Sequence, residues 1–176
     1  MPTTMWGRGH ILGLILLVTL PAFRAVAAPT SATTTVTVKA SVVKPLSLTA
    51  LQDLDFGTIA LGAGTWSGAT VSLSQAGVRS CTNPNTICSG TAQAARYQLV
   101  GTNKETVQIT APPVTLVNQG DSSKTIQLVL SAPASIVIPN SGNPGVQFSV
   151  GGSMTLSSTT AGGTYAGTMN VTVDYQ

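Results

Sequence analysis

The side chains able to do chemistry are few in this chain, and their spacing narrows what they can do. Two cysteines, Cys81 and Cys88, flank an Asn-Pro-Asn turn in "RSCTNPNTICSG", with six residues between them. Two carboxylates, Asp53 and Asp55, lie two apart in "LQDLDFG" and would share one face of a strand. Such a pair can serve glycoside hydrolysis when the fold supplies a groove and the right separation. Beside Phe-Gly its plainer role is to cap a turn or solvate an edge. Trp66, in "TWSG", would stack on a sugar if its indole were exposed; packing in a core or against a neighbouring strand is the expectation. The glycines of "GAG" at 62–64 open no helix and belong to a turn. Asn170-Val171-Thr172 fits the glycosylation pattern by chance, inside a predicted strand.

The N-terminus decides which of these groups matter. Arg8 precedes the apolar run "ILGLILLVTL", which at about ten residues is too short to cross a bilayer core of roughly 30 Å. Ala25 and Ala27 in "PAFRAVAAPT" form an A-x-A site, so residues 1–27 read as a secretory signal peptide cut before Ala28. Removing it leaves 149 residues (176 minus 27) and takes away His10, the single histidine, together with Trp6. Lys39, Lys44, Arg79, Arg96, Lys104 and Lys124 then face Asp53, Asp55, Glu105, Asp121 and Asp174, and six minus five leaves a net charge of +1. No Lys/Arg cluster remains to neutralise a run of phosphates, so nucleic-acid binding is not expected. Without histidine there is no Ser-His-Asp or Cys-His arrangement, and neither an enzyme, a metal site nor a cofactor is expected. In an exported chain Cys81 and Cys88 form a disulfide, with metal binding as the rival reading. The closed loop is short, worth roughly 2.5 kcal/mol, and is expected to lock one hairpin or loop without tying sheet to sheet.

The elements that position these groups are strands. The chain is rich in Thr, Ser, Val, Gly and Ala, and its apolar residues recur with period two in "TTTVTVKASV", "LDFGTIAL", "ATVSLSQ", "RYQLVG", "TVQIT", "VTLVN", "TIQLVLS", "ASIVI", "VQFSV", "SMTLSS" and "TYAGTMNVTVDY". Roughly ten short strands with turns every 8 to 12 residues predict an all-β sandwich. The loops "NQGDSSK" and "PNSGNPG" read as surface hairpin connections, so residues 45–176 form one domain preceded by an extension over 28–44.

Two stretches resemble a known family. Near the C-terminus Gly163, Tyr165, Met169, Val171, Val173 and Tyr175 fall in an alternating pattern, with Tyr175 penultimate. That pattern resembles the C-terminal signature of pilins assembled by the periplasmic chaperone/usher pathway. At the other end an alternating segment leads into Leu54, Asp55, Phe56 and Gly57, similar to the Leu-Asp/Asn-Phe-Gly strand of the archaic, spore-coat-U-like pilins. The chain from 31 to 176 also resembles the bacterial family called domain of unknown function 4402, through "DLDFG" and "GTYxGT…VTVxYQ". Archaic pilins carry a cysteine shortly before the Leu-Asp-Phe-Gly strand; "VKPLSL" has none, so their disulfide is not carried over.

The resemblance implies an immunoglobulin-like sandwich lacking one strand, with a groove flanked by the chain's own last strand. A neighbouring subunit fills such a groove with its N-terminal extension. The candidate donor is Ser31 to Val43, with Val36, Val38, Ala40 and Val42 on one face. The resemblance implies as partners other copies or related subunits, a periplasmic chaperone and an outer-membrane usher, and a path from the periplasm to the cell surface. The residues alone leave a second reading open: a self-contained secreted sandwich whose first strand pairs within the chain and which binds a surface partner or glycan.

Overall fold

The computed structural model describes residues 31–176, and the signal peptide expected over 1–27 lies outside them. Among the described residues every element is a strand: β1 (Ser47–Gln52), β2 (Thr58–Leu61), β3 (Ala69–Leu73), β4 (Arg79–Cys81), β5 (Thr86–Ser89), β6 (Ala95–Val100), β7 (Thr106–Thr110), β8 (Val114–Asn118), β9 (Thr125–Ser131), β10 (Ser135–Val137), β11 (Val146–Leu156), β12 (Tyr165–Ala166) and β13 (Thr172–Tyr175). The largest sheet runs β1-β6-β11-β9-β8-β12, with β3 added to β11 and β4 to β3. Separate sheets β10-β7-β13 and β2-β5 complete an all-β, sandwich-like fold.

Alternation sets which side chains meet. Along β6, Ala95, Tyr97 and Leu99 point inward to Val107 and Ile109 of β7, with Phe148 and Val150 of β11 and the intervening Ile138. A second core gathers Val71 and Leu73 of β3, Val114 of β8, Ile126 and Leu128 of β9, and Met154 and Leu156 of β11, beneath Phe56. Leu54, Leu130 and Met169 pack against both.

Strand β11 carries the two cores together. Its residues 146–150 pair with β6, while its later residues pair with β3 and β9. The separate strands expected from "VQFSV" and "SMTLSS" are therefore one, running through Gly151-Gly152. Glycine here serves close approach, not a break: a Cβ on Gly151 would strike the Leu73 carbonyl oxygen, and one on Gly152 would lie 2.9 Å from that of Val129.

Other expectations also change. Residues 54–57 are not part of a strand; they form a bend between β1 and β2, anchored by a bridge from Asp55 to Gln93. "TYAGTMNVTVDY" splits, since β12 pairs with β8 in the large sheet and β13 with β7 in another. "PNSGNPG" leads from β10 to β11, which lie in different sheets, so it is no hairpin, whereas "NQGDSSK" does join the paired β8 and β9. Residues 31–46, which include the candidate donor, carry no strand.

The disulfide forms as expected between Cys81 and Cys88, but its role differs. Cys81 belongs to β4 of the large sheet and Cys88 to β5 of the two-stranded sheet, with Cα atoms 6.3 Å apart. It ties one sheet to another where a hairpin lock was expected. The reason is that β4 and β5, though consecutive, each pair with a different strand, β3 and β2 respectively.

Candidate functional site

Among the described residues a cleft of about 1220 Å³ opens onto the core beneath Phe56. Its floor is the inward face of β8, β9 and β11, where alternation presents Val114, Leu116, Ile126, Leu128, Met154 and Leu156. One wall is the chain from Ala50 to Gly62, and the other runs from Ser158 to Met169. Because the cleft is open, Leu54, Ile59, Leu61, Leu116, Tyr165 and Met169 remain only half-buried while packing against the core.

The first wall is shaped by the Leu54-Asp55-Phe56-Gly57 bend. Leu54 reaches both cores and Phe56 is buried. The Gly57 N–H donates to Asp55 Oδ1 at 2.7 Å, closing a two-residue Asx turn. Gly57 then takes φ +68°, a conformation glycine adopts without strain. The bend is held from behind by Arg79, whose guanidinium donates to the carbonyls of Phe56 (2.6 Å), Ser89 (2.9 Å) and Gly90 (3.2 Å). A Cβ on Gly57 would collide with that guanidinium and lie 2.8 Å from the Ser89 oxygen. One arginine thus ties the motif to the end of β5, a few residues from the disulfide that ties β5 to β4.

The second wall depends on Asn118, one of the buried polar side chains. Its Nδ2 donates to the Gly162 carbonyl at 3.0 Å, and its Oδ1 accepts from the N–H groups of Gly120 and Asp121. Gly163, at φ +141°, leaves room for that side chain, which a Cβ would meet at 2.5 Å. Tyr165 follows, with its hydroxyl donating to the Ala161 carbonyl at 2.8 Å. Beyond β12 the chain leaves the large sheet, and residues 167–171 make no backbone ladder contact among the described residues before β13 begins. Met169 and Val171 of this stretch, with Val173 and Tyr175 of β13, are half-buried against the core that β7 lines.

Tyr175 also closes the far end of β1. Its hydroxyl donates to the Lys44 carbonyl at 2.7 Å and accepts from the Thr102 N–H at 2.8 Å, while the Lys44 N–H donates to Thr102 Oγ1 at 2.6 Å. Upstream of that clasp Val36, Val38, Ala40 and Val42 are exposed, the three valines at 84%, 89% and 89%.

Asp53 and Asp55 stand at the cleft rim, Asp55 engaged in its turn. Burial, then the charge of Asp53, raises the pKa of the Tyr97 phenol above its ordinary value. No cluster of three His, Cys, Asp or Glu side chains suited to a metal occurs among the described residues. The Trp66 indole N–H donates to the Gly62 carbonyl at 3.0 Å, and its ring packs against the core, so it is no open stacking platform. Two residues that shape the walls, Arg79 and Asn118, were not singled out by sequence. Their one legible signal is rarity: a charged residue at the head of a strand in a chain with 7% charged residues, and an Asn closing a strand before Gln-Gly-Asp.

No curated protein and no solved structure matches the chain. A family model does, over residues 46–175, described as a domain of unknown function (DUF4402). The matched span begins just after the Lys44 clasp and takes in both cores, both cleft walls and every strand from β1 to β13. Covering the whole of the folded β-structure, that match makes the chain a member of the DUF4402 family.

Proposed function

We propose that this chain is a structural subunit of a secreted or surface fibre, in which residues 31–43 of one copy lie as a strand in the cleft of the next. The observation that carries this reading is the open cleft with an apolar floor beside residues 167–171, a stretch whose backbone has no ladder partner among the described residues. A backbone edge beside an uncovered core is a template for an added strand. The exposed Val36, Val38 and Val42 offer the matching apolar face. The resemblance of both termini to chaperone/usher pilins supports the same reading, and with it a periplasmic chaperone, an outer-membrane usher and an exported route to the cell surface.

Magnitudes indicate what holds such a donor. Burying three valines and an alanine yields something like 5 to 9 kcal/mol, and ordering a dozen residues costs at least as much, at roughly 1 to 2 kcal/mol each. Ladder hydrogen bonds of about 0.5 to 1.5 kcal/mol each must supply the rest. A charge in mid-strand is therefore disproportionately damaging. The test is a gel of the exported protein, unheated against boiled in detergent, beside a deletion of 31–43 and Val38→Asp. A ladder that collapses on boiling and is absent from both variants is expected. A single monomer band throughout, or an undiminished ladder in Val38→Asp, would sink the reading.

A further inference from the structure

Apolar alternation decides which face of an inserted segment turns inward, but not where along the cleft the segment stops. A slip by one residue would turn the valines to solvent. A slip by two keeps the same face inward, and in either direction two valines and an alanine of the 36–42 series still meet the floor. Registers two residues apart are thus close in side-chain burial, and a further group must distinguish them. Ser31 to Val43 holds one charged side chain, Lys39, on the face opposite the valines, and no carboxylate. The cleft is its complement: among the described residues that line it, the charged side chains are Asp53 and Asp55, and none is a cation. Asp55 is taken by the Gly57 N–H, with the Arg79 guanidinium behind the bend. Asp53 is exposed at the rim, and its carboxylate has no hydrogen-bond partner among the described residues, since the Gln93 amide reaches its backbone carbonyl instead. Its charge is felt within the cleft, where, after burial, it raises the phenol pKa of Tyr97, another lining residue.

We propose that Asp53 is the counter-charge that fixes the register of strand exchange, pairing with Lys39 of a second copy of the chain. The inference rests on the fibre reading and adds to it the pair that chooses among registers. Moving the segment by two residues carries the Lys39 ammonium about 7 Å along the cleft, and the attraction between exposed charges weakens with that separation. The apolar floor holds the strand, and the charge pair selects where it sits. The same attraction speeds the first encounter, and salt screens it.

The full exported chain carrying either Lys39→Glu or Asp53→Lys, each verified as folded by a thermal melt, tests this. At low salt either variant is expected to form heat-sensitive multimers about three- to tenfold more slowly than wild type, with the difference narrowing at high salt. Mixed in equal amounts, the two variants are expected to recover the wild-type rate to within about twofold, because each then meets an opposite charge on the other. A folding defect would not be rescued by mixing. Carbodiimide, which joins a touching amine and carboxylate, is expected to give wild-type multimers a dimer that survives boiling and whose cross-linked peptide links Lys39 to Asp53. Should Asp53→Lys fail to fold, Lys39→Glu and the cross-link still decide. Wild-type rates from the folded variants, a mixture no faster than either alone, or Lys39 coupled only to other carboxylates would overturn the pairing and leave the fibre reading standing. A wild-type chain that never forms heat-sensitive multimers would sink the fibre reading itself, and the pairing with it.

Discussion

Arg79 donates to the Phe56 carbonyl at 2.6 Å, joining the start of β4 to the bend that forms one wall of the cleft, 23 residues earlier in the chain. The same guanidinium holds Ser89 and Gly90, so the motif residues owe their position to a side chain outside the motif. Arg79→Met keeps much of the stem and removes all three bonds. A loss of about 2 kcal/mol in urea denaturation is expected, given charge-assisted bonds to carbonyls that stay partly hydrated. Gly57→Ala adds a Cβ where the guanidinium and the Ser89 oxygen stand, at positive φ, and should cost at least as much. Equal stability of wild type and Gly57→Ala would refute this account of the motif.

The opposite wall has its own pin. Asn118→Ala removes the partner of the Gly162 carbonyl and of two turn N–H groups, and is expected to destabilise by about 2 to 3 kcal/mol. Gly163→Ala should produce a similar loss by pushing the Asn118 amide aside. Hydrogen exchange would show faster opening at β12 and β8 in both variants, with β7 unaffected.

Reduction of the Cys81–Cys88 disulfide, or its replacement by two serines, is expected to cost about 2.5 kcal/mol by loop entropy. Because the bond joins two sheets, the loss should be local in its first signs. Amides of β2 and β5 should exchange faster while those of β6 and β7 keep their protection. Uniform loosening across both cores would show that the bond acts only through global stability.

Tyr97 stacks on Phe148 with ring centroids 5.4 Å apart, and its phenol pKa is raised, first by burial and then by the charge of Asp53. The unfolded chain, with a phenol pKa of about 10, ionises first as pH climbs. Stability from this group is therefore fully present below about pH 10 and is lost as pH rises through the folded value. Melting temperature should fall on the alkaline side, and Tyr97→Phe should flatten that fall without changing the neutral-pH fold. A wild-type curve identical to that of Tyr97→Phe up to pH 11 would contradict this assignment.

Much of the sandwich was legible because its strands are half-buried and alternate. "TVQIT", "VTLVN" and "TIQLVLS" coincide with β7, β8 and β9 residue for residue. Strand β1 was missed because "SLTALQ" has neither a β-branched run nor a clean alternation, and most of its residues are exposed. Phe56 stood out as part of the Leu-Asp-Phe-Gly motif, but the bend around it did not, since that depends on an Asp55 carboxylate taking the Gly57 N–H in place of a ladder partner. The sheet-to-sheet role of the disulfide was hidden for a related reason. Adjacent β4 and β5 look like a hairpin until their actual partners, β3 and β2, are known. Short-range pattern reveals which residues face inward; which strand lies alongside is settled by residues far away in the chain.

Gly151 and Gly152 have a mechanical consequence. With one strand serving as a common axle for two cores, neither half of the sandwich can melt without loosening its neighbour's hydrogen bonds. Pulled or heated, the domain should give way in a single event, and a bulky residue at the axle's midpoint should lower the resistance of both halves together.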